Sequence, residues 1–166
     1  GYVVSGNGIG VSAGILVSGY PALAVLNCDV TLAASQMFDG GGSSSPPTMG
    51  LIINGTVDLG VFDLTLGVAV RLGAAVTGQG GVTVTGAYNV LSGANSYTGP
   101  TLVSSYGRVT INGAQPASAV TVTGVYSELS GTGAVGAVTI EHAAQIAGGG
   151  PAGAPPAAAF HSYVVR

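Results

Sequence analysis

Few residues in this chain have the types and spacing that chemistry needs. Glu141-His142 is the only adjacent acid and imidazole. Read as part of a strand, the two point to opposite faces, a poor arrangement for mutual proton transfer. The other histidine, His161, stands alone near the end and is read as a solvated or interface residue. Serines are abundant, but none sits in a GxSxG turn, and two histidines leave little from which to build a triad. Asp58 and Asp63 flank residues 59–62 at odd spacing, so on one strand they also face opposite ways. Asp39 falls in a Gly/Ser-rich stretch where a calcium ligand is conceivable, yet no glycine-aspartate nonapeptide accompanies it. Cys28 is the only cysteine, so no internal disulfide or Cys/His metal set forms, and it reads as a small buried apolar residue. No catalytic residue, metal ligand or cofactor emerges, and the chain is not read as an enzyme.

Two patterns are better suited to surfaces. Thr83/Thr85 and Thr121/Thr123 are alternating pairs, which on a flat sheet order water or bind ice; ordinary strand propensity accounts for them more simply. Tyr88, Tyr97, Tyr106 and Tyr126 are candidates for an exposed glycan-binding patch, or for rings packed at the corners of the fold. Asn95 is read as an inward-facing or turn-stabilising amide.

The elements that position these residues are short β segments, such as residues 82–85, 109–111, 120–123 and 138–140, separated by Gly, Asn and Ser. One series begins at Val82, Leu102, Val120 and Val138 and another at Val90, Val109, Leu129 and Ile146, both recurring about every 19 residues. Two interleaved series predict a solenoid with at least two strands per turn. A single turn cannot bury its own apolar side, so adjacent turns must stack. Before residue 56 the pattern is less regular, consistent with further turns or a small separate cap. Residues 36–49 read as a protruding loop and residues 154–166 as a Pro/Ala connector with a terminal β segment. The solenoid is expected to span residues 1–153.

Composition narrows the function. Charged residues make up 5% of the 166, against about 25% in typical domains. There is no lysine, and Arg71, Arg108 and Arg166 cannot make the basic patch that nucleic acid requires. Charge-driven disorder is excluded by 47% apolar content and a net charge of -3. The 30 glycines disfavour a helical bundle. No apolar run is long enough for a transmembrane helix.

Residues 80–99 read GGVTVTGAYNVLSGANSYTG, followed by TLVSSYGRVTINGA and then GAVGAVTIEHAAQIAGGGPAG. This resembles the passenger-associated transport repeat (the autotransporter-associated β-strand repeat) of bacterial autotransporters over residues 56–153. The most specific part is Leu91, Ser92, Gly93, Ala94, Asn95, Ser96, Tyr97, Thr98 and Gly99. The resemblance implies an all-β, right-handed parallel β-solenoid (β-helix) with turns of about 18–20 residues, located outside the cell or on a bacterial surface. It implies a scaffold without catalytic residues. The chain departs from the family pattern at Tyr106, Tyr126 and Pro100, and no translocator barrel follows Arg166 in this sequence.

A solenoid exposes strand edges at its ends, and few charges guard them here. Tyr2-Val3-Val4 and Tyr163-Val164-Val165 echo each other at the two ends, each suited to adding a strand to a neighbour. The expected function is therefore an extracellular structural subunit that self-assembles end to end into filaments or a surface layer, its partner being itself. The alternatives are a passenger fragment of an autotransporter adhesin, with a cell-surface ligand met by loop 36–49, and an ice- or glycan-binding solenoid module.

Overall fold

In the computed structural model, residues 1–19, 23–41, 50–148 and 163–165 are described. They wind into a parallel β-solenoid of about seven turns, with no helix among the described residues. The turns have three faces, one more than the two sequence series require.

The first face is an eight-stranded sheet made of Tyr2–Ser5, Ala24–Asn27, Leu51–Ile53, Val70–Leu72, Asn89–Leu91, Arg108–Ile111, Glu128–Gly131 and Gln145–Gly148. The second face pairs Ile9–Val11, Val30–Leu32, Val57–Asp58 and Val76–Thr77, and resumes later as Ala114–Gln115 with Ala134–Val135. The third face again has eight strands: Ile15–Leu16, Gln36–Asp39, Leu64–Leu66, Val82–Val84, Thr101–Val103, Val120–Thr123, Val138–Glu141 and Tyr163–Val165. Each strand is short because a face is narrow. A typical one buries its first and third residues and turns the second outward, as in Leu64–Leu66 and Val82–Val84. β-Branched and leucine side chains fill this geometry, and each buried one contributes about 1.5–3 kcal/mol. Inside the third face Leu66, Val84, Val103, Val122 and Ile140 stack in register, one per turn.

Register corrects the sequence series at two points. Val82 pairs with Thr101, not Leu102, and Val109 pairs with Asn89, not Val90. A one-residue slip exchanges the two sides of a strand. Thr101 and Asn89 therefore stand inside, while Leu102 and Val90 face outward and are half-buried. Both inward polar residues find hydrogen-bond partners there, which apolar periodicity alone does not register.

The irregular first third belongs to the same stack. Ala24, Val25 and Leu26 pair with Leu51, Ile52 and Ile53, so the first sheet runs unbroken across the extra residues between those turns. Within the predicted loop 36–49, Gln36–Asp39 is instead a strand, because Phe38 is fully buried and aligned with Ile15 and Leu66. Residues 42–49 lie outside the described residues, as does most of the connector 154–166. The described part of that connector, Tyr163–Val165, is a strand parallel to Val138–Glu141.

Tight stacking explains the motif glycines. A Cβ at Gly93 would run into the backbone carbonyl of Ala74 one turn below, and a Cβ at Gly99 into that of Gly80. Leu91 is a core residue at the end of its strand, and Ser92 donates its backbone N–H to the Leu72 carbonyl at 3.0 Å.

Candidate functional site

The motif residues Asn95, Tyr97 and Thr98 occupy the gap in the second face. The turn carrying them has no strand there, and Asn95 bridges the break. Its Oδ1 accepts the Val76 N–H at 2.9 Å while its own N–H reaches the Ala114 carbonyl at 2.6 Å. Thr98 continues the ladder by donating its N–H to the Gly78 carbonyl at 3.1 Å. Asn95 is thus both inward-facing and turn-stabilising, as its sequence context indicates.

Tyr97 does not belong to any exposed patch. It is fully buried, and its hydroxyl lies 2.6 Å from Thr101 Oγ1 and 3.2 Å from Gln115 Oε1. Thr101 Oγ1 in turn meets Ser118 Oγ at 2.8 Å. This chain of hydroxyls and an amide joins successive turns inside the core. Burial pushes the Tyr97 phenol above its ordinary range, while hydrogen bonds from Thr101, Ser118 and Gln115 pull the other way. Each polar atom named here is engaged by a partner within the fold.

The remaining tyrosines form the most distinctive surface. Tyr88, Tyr106 and Tyr126 lie at the corner leading from the third face into the first. They have φ of 67°, 68° and 64°, in the left-handed region. For a bulky side chain that conformation costs about 1–2 kcal/mol per residue. Tyr106 and Tyr126 stack across adjacent turns with centroids 5.8 Å apart and planes 15° apart. They remain 65% and 59% exposed. Stacking returns about 0.5–1.5 kcal/mol to the pair, less than the strain of two such residues. Tyr88, Tyr106 and Tyr126 are thus exposed corner residues, while Tyr97 is the buried one. Glycine at these positions would be cheaper, and no sequence signal for left-handed tyrosine exists.

The acids are dispersed. Glu141 ends its strand and His142, with φ 52°, turns away. The two side chains therefore approach to 3.9 Å instead of facing opposite sides. His142 Nδ1 also lies 3.2 Å from Thr123 Oγ1. Asp58 and Asp63 do not share a strand, because residues 59–62 make a turn in which Phe62 N–H reaches the Leu59 carbonyl at 3.0 Å. Asp58 Oδ1 accepts the Gly60 N–H and Asp63 Oδ1 the Gly81 N–H, at 2.9 and 2.7 Å. Asp39 Oδ1 accepts from Gly41 and Val68 N–H groups. These carboxylates cap turns. No group of three metal-ligating side chains occurs among the described residues. Cys28 is buried and free. His161 lies outside the described residues.

The threonines line up further than the two sequence pairs suggest. Thr65, Thr83, Thr121 and Thr139 occupy one outward row of the third face, interrupted by Leu102. Thr85 and Thr123 lie beside that row, and Thr123 is already engaged by His142.

The terminal segments stand at opposite ends. Tyr2–Ser5 is the outermost strand of the first sheet, with Tyr2 78% and Val3 67% exposed. Tyr163–Val165 is the outermost strand of the third sheet at the other end. No helix among the described residues is long and apolar enough to cross a membrane. Comparison with protein-family models, curated proteins and solved structures finds no match to the chain. The fold and these surfaces define the class: a parallel β-solenoid whose notable groups lie on its corner and its ends.

Proposed function

We propose that the chain is an extracellular structural subunit that associates end to end with copies of itself. The observation that carries this reading is the chemistry of the two ends. Residues 1–28 contain no charged side chain, and no Asp, Glu, Lys or Arg occurs between Glu141 and Arg166. The outer strands at these ends are therefore without the lysines and acids that normally block edge pairing. The resemblance to autotransporter repeats supports an address outside the cell or on a bacterial surface.

One register between copies would continue both eight-stranded faces. Continuing each face from one copy to the next sets Gln145–Gly148 of one copy against Tyr2–Ser5 of the other. The same junction sets Tyr163–Val165 against Ile15–Leu16. Two faces then close at one junction through main-chain hydrogen bonds, a form of strand addition. Repetition of a head-to-tail contact that does not close gives a filament.

Strand polarity supplies the test. Tyr2 donates its N–H inward to the Leu23 carbonyl at 2.8 Å. In a parallel strand the next residue bonds to the opposite side, so Val3 N–H faces the open edge. Proline is tolerated where that N–H is not needed within the chain. Val3→Pro is expected to keep the circular dichroism of the parent and to abolish concentration-dependent association in sedimentation velocity. Monomeric rods at every concentration in the parent chain would instead favour a surface-displayed adhesin scaffold.

A further inference from the structure

We propose that the tyrosine corner binds a neutral sugar, whose pyranose ring continues the Tyr106–Tyr126 stack over Ala143. This site lies on the side of the solenoid and does not depend on end-to-end association.

Register aligns this corner from turn to turn. Arg108 pairs with Glu128, and Glu128 with Gln145. Counting back two residues on each turn places Tyr106, Tyr126 and Ala143 at one equivalent corner position. Their φ values of 68°, 64° and 61° agree with that equivalence. The chain thus builds a column of two rings and then supplies a methyl group where a third ring would stand. Ala143 is exposed, and the Tyr126 ring is paired on one side only, with Tyr106. The position itself does not demand an aromatic, since Ala143 adopts the same left-handed conformation at the equivalent place of the next turn. The strained, exposed tyrosines are therefore unexplained by folding, and strain held at an exposed site points to function.

The neighbouring groups choose the ligand. Two residues beyond the column, Arg108, Glu128 and Gln145 follow one another across three turns. Arg108 Nε is 4.0 Å from Glu128 Oε2, and both side chains are partly exposed. His142 precedes Ala143, with Glu141 Oε2 3.9 Å from its Nδ1. Guanidinium, carboxylate and amide groups each offer adjacent planar donors or acceptors, which suit vicinal hydroxyls. A pyranose combines such hydroxyls with an apolar C–H face that stacks on a tyrosine ring. One arginine against two glutamates leaves the surroundings slightly acidic, which disfavours uronic or sialic acids and selects a neutral sugar.

The test exploits the fact that the chain has seven tyrosines and no tryptophan. Soluble neutral hexasaccharides of glucose, mannose and N-acetylglucosamine are titrated into the millimolar range while tyrosine fluorescence is followed. Saturable binding of at least one is expected, with no binding of a polygalacturonate oligomer. Tyr126→Ala is expected to weaken binding at least tenfold by removing the platform. Ala143→Tyr is expected to do the same by filling the gap, and it keeps the fold because its neighbour in register is already a left-handed tyrosine. Saturation-transfer NMR on the unaltered protein provides a check that needs no variant: sugar C–H protons should receive magnetisation from the tyrosine rings. Failure of all three neutral sugars to bind, or undiminished binding by Ala143→Tyr, overturns the proposal.

Discussion

Asn89 is a polar residue at a core position, and replacing it with alanine tests whether hydrogen bonding holds it there. Its Oδ1 accepts the Val70 N–H at 3.1 Å, and its Nδ2 donates to the Gly67 and Gly86 carbonyls at 2.7 Å each. The Gly86 carbonyl keeps a second donor, the Arg108 N–H at 3.0 Å. Asn89→Ala therefore strands two main-chain groups, Val70 N–H and the Gly67 carbonyl. Each stranded buried group costs about 1–3 kcal/mol, so the loss is about 4 kcal/mol at the centre of the range. That is a large fraction of a domain stability of about 5–15 kcal/mol. With a urea slope of about 2 kcal/mol per molar, the midpoint falls by about 2 M. Stacked turns open locally as well as globally, so hydrogen exchange at the Val70 amide is measured alongside. Asn54→Ala is the control, since it removes only an exposed 2.8 Å bond to Asn27 and should cost little. A midpoint unchanged from the parent, with the Val70 amide still protected, would refute the reasoning.

Other predictions rest on the same interior. Tyr97→Phe deletes the hydroxyl shared by Thr101 and Gln115 and should cost about 1–2 kcal/mol in denaturant melts. Because burial raises the Tyr97 pKa, the folded state holds that proton more tightly than the unfolded chain. The resulting stability is fully present below about pH 10 and declines as pH rises toward the higher folded value. Tyr97→Phe should flatten that alkaline decline, which pH-jump circular dichroism reads directly. Gly93→Ala forces a methyl group against the Ala74 carbonyl and should destabilise by about 1–3 kcal/mol, seen as a lower thermal midpoint.

The solenoid was legible because its buried residues repeat once per turn, as at Val120 and Val138. The third face escaped the sequence because strands such as Val57–Asp58 and Val76–Thr77 are two residues long, too short to display alternation. Thr101 and Asn89 misled the register because polar residues at core positions look like outward ones until their partners are known. Which tyrosine is buried is not legible for a related reason: the hydroxyl partner of Tyr97, Gln115, is 18 residues away and adjacent only after winding. The corner was legible in composition and hidden in conformation. Glycine normally marks positive φ, whereas Tyr88, Tyr106 and Tyr126 adopt it with full side chains. The pairing of Tyr106 with Tyr126 follows from the step between their turns, which the register makes plain.

End-to-end association is tested most directly by electron microscopy of the purified chain across a dilution series, with Val3→Pro beside it. The account predicts fibres of regular axial repeat in the parent chain that shorten on dilution, and isolated rods of single-chain length in Val3→Pro. Isolated rods in both, at the highest concentration reached, would contradict it.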